Sequence, residues 1–245
     1  MRHPWWLVLC LAAPLLAQPA GERRLTVAEY RDKMLGGWLG QMIGVAWGAP
    51  TEFHWQDQIM PADRYPSWSP GLINGAFDQD DLYVEMTFLG TLERGGLNVS
   101  IREAGIDFAN SEYPLWCANR AGRNNLREGI APPDSSHPRF NACPNDIDYQ
   151  IEADYSGLIA PGLPQVPIDL GNTFGRLMNY GDGLYAGQFV GACYAAAFFE
   201  SDPRRIVEIG LEAIPAGSQS AEMVRDLLAW SAAEPDWQAC WRTIQ

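Results

Sequence analysis

Asp78-Gln79-Asp80-Asp81-Leu82-Tyr83-Val84-Glu85-Met86-Thr87-Phe88-Leu89 sets carboxylates and an amide at the head of an apolar run. Leu82, Met86, Leu89 and Glu93 recur three to four residues apart, so the spacing predicts an amphipathic helix over residues 79–94 with Asp78 at its N-cap. Asp80 and Asp81 then occupy the first turn. Acids there complement the helix dipole, an effect of about 0.3 to 1 kcal/mol common to helical proteins. Clustered carboxylate and amide oxygens are equally what Mg²⁺ or Ca²⁺ takes as ligands. The choice between these readings turns on a second acidic segment. Residues 146–158, with Asp146, Asp148, Glu152 and Asp154, supply one, although such a run also suits a helix with a solvated acidic face.

Upstream, Thr26-Val27-Ala28-Glu29 has the form of a capping box and opens a helix predicted to reach Trp47. Gly36, Gly40, Gly44 and Gly48 fall four apart and make a strip without side chains. Each costs roughly 0.8 to 1 kcal/mol against Ala in an isolated helix, so another backbone is expected against the strip and the helix is expected to be central and buried. It delivers Glu52 into a loop with Phe53, His54 and Trp55. A carboxylate enclosed by aromatics is desolvated and suits a general acid or base; a solvated loop glutamate is the plainer alternative.

Residues 60–74 read as an irregular loop rich in Pro, Ser, Trp and Gly. Ser100-Ile101-Arg102-Glu103 is a second capping box, and a polar helix is expected over residues 117–128. The prolines of residues 130–138 exclude a helix or central strand there, and Pro161-Gly162-Leu163-Pro164 is another break. Asn179-Tyr180-Gly181-Asp182-Gly183 reads as a polar turn, and residues 187–199 as a buried helix of small apolar residues. Asp202-Pro203 starts a further helix. Ser220 is expected to cap the next, with Met223, Leu227 and Leu228 inward. Helix after helix implies an all-α domain.

Residues 1–20 have a positive start, a short apolar run and small residues after it, the pattern of a secretory signal peptide. Cleavage after Ala17 or Ala20 is expected, giving a secreted or periplasmic protein without a stable membrane anchor. Residues 25–245 read as one domain, and nothing in them sets an oligomeric state. The formal charge of -13 argues against a nucleic-acid partner. Cys117, Cys143, Cys193 and Cys240 are widely spaced, allow three pairings and show no CxxC spacing, while His54 and His137 are too few for a histidine-based zinc site.

Residues 35–53, from Leu35 to Phe53, resemble the glycine-spaced first helix of the ADP-ribosylglycohydrolase family, which ends in a functional glutamate. Gln79-Asp80-Asp81 stands where that family has its Thr-Asp-Asp metal triplet. The likeness continues more weakly through residues 146–164 and 179–199. It implies an orthogonal all-α domain with a binuclear Mg²⁺ centre. The implied reaction is hydrolysis of the glycosidic bond joining ADP-ribose to a protein or small acceptor. By the same resemblance Gln79, Asp80 and Asp81 are metal ligands, and Glu52 and Asp81 are catalytic. Asp154, Gly157, Asn179, Tyr180 and Asp182 would bind ribose and phosphates.

Three departures bear on the ADP-ribose moiety. Val45 replaces an Asp, the Asn-Gly and Met-Arg of the phosphate loop are missing from residues 154–163, and Asn179-Tyr180 replaces a Thr-His pair. The family's later Asp-x-Asp-Thr metal motif has no counterpart before Gln245, so the chain is expected to be the N-terminal part of a longer domain. Two other readings fit the same residues: an exported glycosidase or nucleoside hydrolase on this scaffold, or a non-catalytic sugar- or nucleotide-binding module.

Overall fold

The computed structural model describes residues 22–244; the expected signal peptide lies outside them. The chain runs α1 (Val27–Gly48), α2 (Asp80–Gly95), α3 (Ile101–Ala109), α4 (Cys117–Arg127), α5 (Asp148–Ile151) and α6 (Asp154–Leu158). It continues through α7 (Gln165–Thr173), α8 (Asp182–Ala197), α9 (Pro203–Glu212), α10 (Gln219–Ala233) and α11 (Trp237–Ile244). Short 3-10 turns join them, and no strand occurs among the described residues, so the domain is all-α. No helix among those residues is long and apolar enough to cross a membrane.

Both capping boxes form. The Thr26 and Ser100 hydroxyls accept from the Glu29 and Glu103 amides at 3.2 Å, and each glutamate accepts from its cap residue's backbone N–H at 2.9 Å. α2 starts one residue later than its sequence implies, with Gln79 rather than Asp78 at the N-cap. The reason lies upstream. Pro70–Asp78 is a 3-10 helix, not irregular loop, and Asp78 belongs to its last turn. The buried stripe of α2 is also rotated by one position: Leu82, Val84, Glu85, Phe88 and Leu92 are buried, while Met86 is half exposed.

Phe88 anchors the main core, its ring 4.9 Å from that of Phe174 and 5.9 Å from that of Tyr155. α8 crosses α6 behind it. A Cβ on Gly157 would strike the Gly191 carbonyl and come within 2.8 Å of the Ala195 nitrogen. Backbone therefore meets backbone here, which only glycine permits. The strip on α1 behaves otherwise. Gly36, Gly40, Gly44 and Gly48 have nothing within 4 Å of where a Cβ would stand, and Leu35, Leu39 and Trp47 are exposed. α1 is thus peripheral, contrary to expectation, because it turns Gly37 and Gln41 inward, against Leu158 and Glu85. Its C-terminal half packs Ala46 with Ala76 and Leu82, and the Trp47 indole donates to the Pro66 carbonyl at 2.8 Å.

α10 is capped by Ser218, whose hydroxyl accepts from the Ala221 amide at 3.2 Å, not by Ser220. Ala221 is its one buried residue, so Met223 and Leu227 face outward rather than inward.

Candidate functional site

Packing of α1 on the 3-10 helix brings the end of α1 beside the start of α2. Asp80 and Asp81 are half-buried in the first turn of α2, and Glu52 follows the 3-10 turn Ala49–Thr51. Glu52 and Phe53 are exposed, so the aromatic enclosure suggested by the sequence is not built. Burial pushes the Asp81 carboxyl up to about 6, with the Asp80 and Glu52 carboxylates adding to the rise. Asp81 therefore lies within the electrostatic reach of Glu52.

One turn along α2, Glu85 is fully buried. Its Oε2 accepts from the Gln41 side-chain amide at 2.9 Å and its Oε1 from the Tyr155 backbone N–H. Burial, then the Asp154 charge, holds this carboxyl well above the usual range. Asp154, at the head of α6, is pushed up to about 7 by burial, with Asp81 adding and the Tyr194 hydroxyl opposing.

Residues 146–158 do not form one helix with a wet acidic face. The segment breaks at Glu152-Ala153 into α5 and α6, and Asp148, Glu152 and Asp154 turn inward at 5%, 0% and 7% exposure. Asp148 accepts from the Asn119 backbone N–H at 2.7 Å, and burial raises it to about 6. Glu152 accepts from the Asn119 side-chain amide through Oε1, while its buried Oε2 has no hydrogen-bond partner. Burial, then Asp148, with Asp80 and Asp81 beyond, raises it well above its ordinary value.

The candidate ligand-binding residues divide between two places. Asp154 joins the acidic centre. Gly157 is consumed by the α6–α8 crossing. Asn179 is buried, its Oδ1 accepting from the Tyr149 amide at 2.8 Å and its Nδ2 donating to the Pro144 and Asp146 carbonyls at 3.1 and 2.6 Å. Tyr180 is half exposed and meets His137 edge-on at 5.0 Å. Asp182 heads α8 and accepts from the Ser220 amide at 2.8 Å. Tyr194, beside Asp154, is on the same helix about 18 Å away at 1.5 Å per residue. Asp182 instead borders a cavity of about 180 Å³, shared with Asn145, Asp146 and Gln150.

That cavity adjoins a group the sequence left scattered. Cys117, Cys143 and Asp146 each place a ligating atom within 4.8 Å of the other two. The Cys117 thiol is pushed up to about 12, first by its hydrogen bond with Asp146 and then by Cys143. Glu85, Asn119 and Gln41 are likewise members of the acidic centre that sequence reasoning missed, while Glu152, read there as part of an acidic run, is buried within it. Glu85 carried a signal, an acid set inside an apolar helical stripe.

The donor types of the acidic centre suit a divalent cation, although among the described residues its carboxylate oxygens are not gathered in threes within 4.8 Å as the ligating atoms of Cys117, Cys143 and Asp146 are. Among the described residues none of Asp80, Asp81, Glu85, Glu152 and Asp154 has a Lys or Arg partner; the five ion pairs found lie elsewhere. Buried carboxylates without a compensating charge are costly, and the orphaned Glu152 Oε2 marks the deficit.

The family model for ADP-ribosylglycohydrolase matches residues 26–244. No curated protein and no solved structure matches the chain. The match spans nearly all the described residues, and the all-helical domain around the Asp80–Asp81 turn agrees with it. The chain thus belongs to the ADP-ribosylglycohydrolase family, metal-dependent hydrolases of glycosidic bonds.

Proposed function

We propose that this is an exported, Mg²⁺-dependent hydrolase that cleaves the glycosidic bond of an ADP-ribosylated protein or a related ribosyl compound. The observation that carries the reading is the half-buried Asp80–Asp81 pair, with Asp81 desolvated and within the field of Glu52 and, among the described residues, no Lys or Arg paired with either. Gln79, Asp80 and Asp81 would hold Mg²⁺ in a binuclear centre. Bound there, the ion supplies charge for ribose hydroxyls or phosphates and offsets the protein's negative field. Export rests on the residue pattern of the first 20 positions.

Glycosidic bonds break through an oxocarbenium-like state, which nearby carboxylates stabilise. Glu52, exposed and within electrostatic reach of Asp81, would orient a water and take its proton. Asp81 supports the developing positive charge. Asp154, buried at the head of α6 and within the field of Asp81, would hydrogen-bond a sugar hydroxyl on this reading. Glu85 ties α1 and α6 to α2 through Gln41 and the Tyr155 amide.

Calorimetry of Mg²⁺ binding to wild type and to Asp80→Ala/Asp81→Ala tests the assignment, together with hydrolysis of ADP-ribosylated arginine, ADP-ribosylated serine and plain nucleosides. The double variant is expected to lose Mg²⁺ binding and about a thousandfold in rate, since several kcal/mol of charge stabilisation leave with the ion. Equal Mg²⁺ affinities would remove the metal assignment. Turnover of nucleosides alone would replace the substrate.

A further inference from the structure

The Cys117–Cys143–Asp146 group stands outside the acidic centre, and its parts are held in register. The Asp146 amide donates to the Cys143 carbonyl at 3.1 Å, a turn that puts residues 143 and 146 on one side. Asn141, fully buried, binds that turn to the helix bearing Cys117. Its Oδ1 accepts from the Cys143 amide at 2.9 Å, and its Nδ2 donates to the Ala118 and Met178 carbonyls at 3.1 and 2.9 Å. Two sulfurs and a carboxylate oxygen are thus brought together by a buried polar clamp.

Donor type and spacing choose the occupant. Thiolates select zinc-like cations over Mg²⁺ or Ca²⁺. Zinc–sulfur bonds near 2.3 Å and zinc–oxygen bonds near 2.0 Å place tetrahedral ligands ~3.5–3.8 Å apart. That lies inside the 4.8 Å limit the three donor atoms satisfy. All three residues are half-buried, so an ion can reach them from solvent. Asp146 also lines the cavity of about 180 Å³, leaving room for a fourth ligand. From this geometry we infer that Cys117, Cys143 and Asp146 form a binding site for a thiophilic divalent cation of the zinc class, with one position open toward the cavity.

The test is cobalt titration of the reduced full chain, with excess Mg²⁺ present to occupy oxygen-donor sites. One cobalt per chain with a thiolate-to-cobalt charge-transfer band is expected in wild type and in Cys193→Ser. The band is lost in Cys117→Ser and in Cys143→Ser, and Asp146→Asn weakens binding by at least about tenfold. Asp80→Ala/Asp81→Ala leaves the band intact. X-ray absorption of the zinc-loaded wild type, which needs no variant to fold, should give two sulfur neighbours. An absent band, a band that survives both cysteine variants, or zinc bound by oxygen and nitrogen only would overturn the site. So would a reduced protein that takes up no cobalt and merely reoxidises to a Cys117–Cys143 disulfide.

Discussion

The acidic centre and the thiol group both draw on the first turn of α4. Asn119 serves the first, giving its backbone N–H to Asp148 and its side-chain amide to Glu152, while Cys117, two residues earlier, serves the second. They differ in what assembles them. The acidic centre draws buried oxygens from α2, α5 and α6, and depends on helices crossing at backbone distance. The thiol group is half exposed and depends on one turn tied by Asn141. On the two assignments proposed above, enclosed hard oxygen donors and solvent-open soft donors would sort cations by chemistry.

The largest effect expected from breaking this contrast comes at the α6–α8 crossing. Gly157→Ala forces a methyl group into the Gly191 carbonyl and the Ala195 nitrogen, both backbone, so neither can rotate away. α6 must shift, and with it Asp154 and the Tyr155 amide that Glu85 accepts from. Destabilisation of about 3 kcal/mol is expected, the upper range for overpacking. Denaturant unfolding measures it, and a loss under 0.5 kcal/mol would show that the crossing is slack. In the folded fraction Mg²⁺ binding should weaken, while the cobalt band of the thiol group persists. That divergence is the sharper readout, because it separates the two assemblies.

Much of this was legible in the residues. The capping boxes at Thr26 and Ser100 are local signals that form as their spacing predicts; the helices at Asp80–Asp81 and around residues 187–199 form with shifted bounds, the latter running Asp182–Ala197 and taking in two residues read as a turn. What stayed hidden is long-range. The strip Gly36-Gly40-Gly44-Gly48 is the conspicuous glycine pattern in the sequence, yet it is the unpatterned Gly157 and Gly191, on different helices, that meet a backbone. Periodicity states that a face is smooth, not which neighbour uses it. The acids of residues 146–158 read as solvated because a long helix would have exposed them. The break at Glu152-Ala153 depends on Asn119 and Glu85 contacts from distant segments. Cys117 and Cys143 lie 26 positions apart with no motif between them.

A smaller effect, carried mainly by the oxygen centre and its support, is the pH dependence of stability. Asp81, Asp148 and Asp154 have ordinary values of 3.8 that folding raises to about 6, 6 and 7. A carboxyl raised in this way binds its proton more tightly when folded. Its stabilisation is fully present below pH 3.8 and is lost as pH climbs through 6 to 7. The metal-free protein should therefore melt lower at pH 7.5 than at pH 5, by on the order of 2 kcal/mol or about 5 °C. Saturating Mg²⁺, if held by the ionised carboxylates as proposed, should flatten the curve. Zinc, held by sulfur, should raise the melting temperature without removing the slope. A Tm that climbs from pH 5 to pH 7.5 in chelator would contradict the burial of these acids.

The smallest effect tests whether α1's outer face belongs to either assembly. Gly40 has open space where a Cβ would stand, and it lies in the interior of a 22-residue helix. Alanine there costs no contact and removes backbone freedom from the unfolded chain, so Gly40→Ala should stabilise by about 0.5 to 1 kcal/mol. Mg²⁺ affinity and the cobalt band should both stay at wild-type values, since α1 reaches the acidic centre through Gln41 on a different face. A destabilised variant would mean that the strip is covered in solution. A stable variant with altered Mg²⁺ binding would mean that the two faces of α1 are coupled.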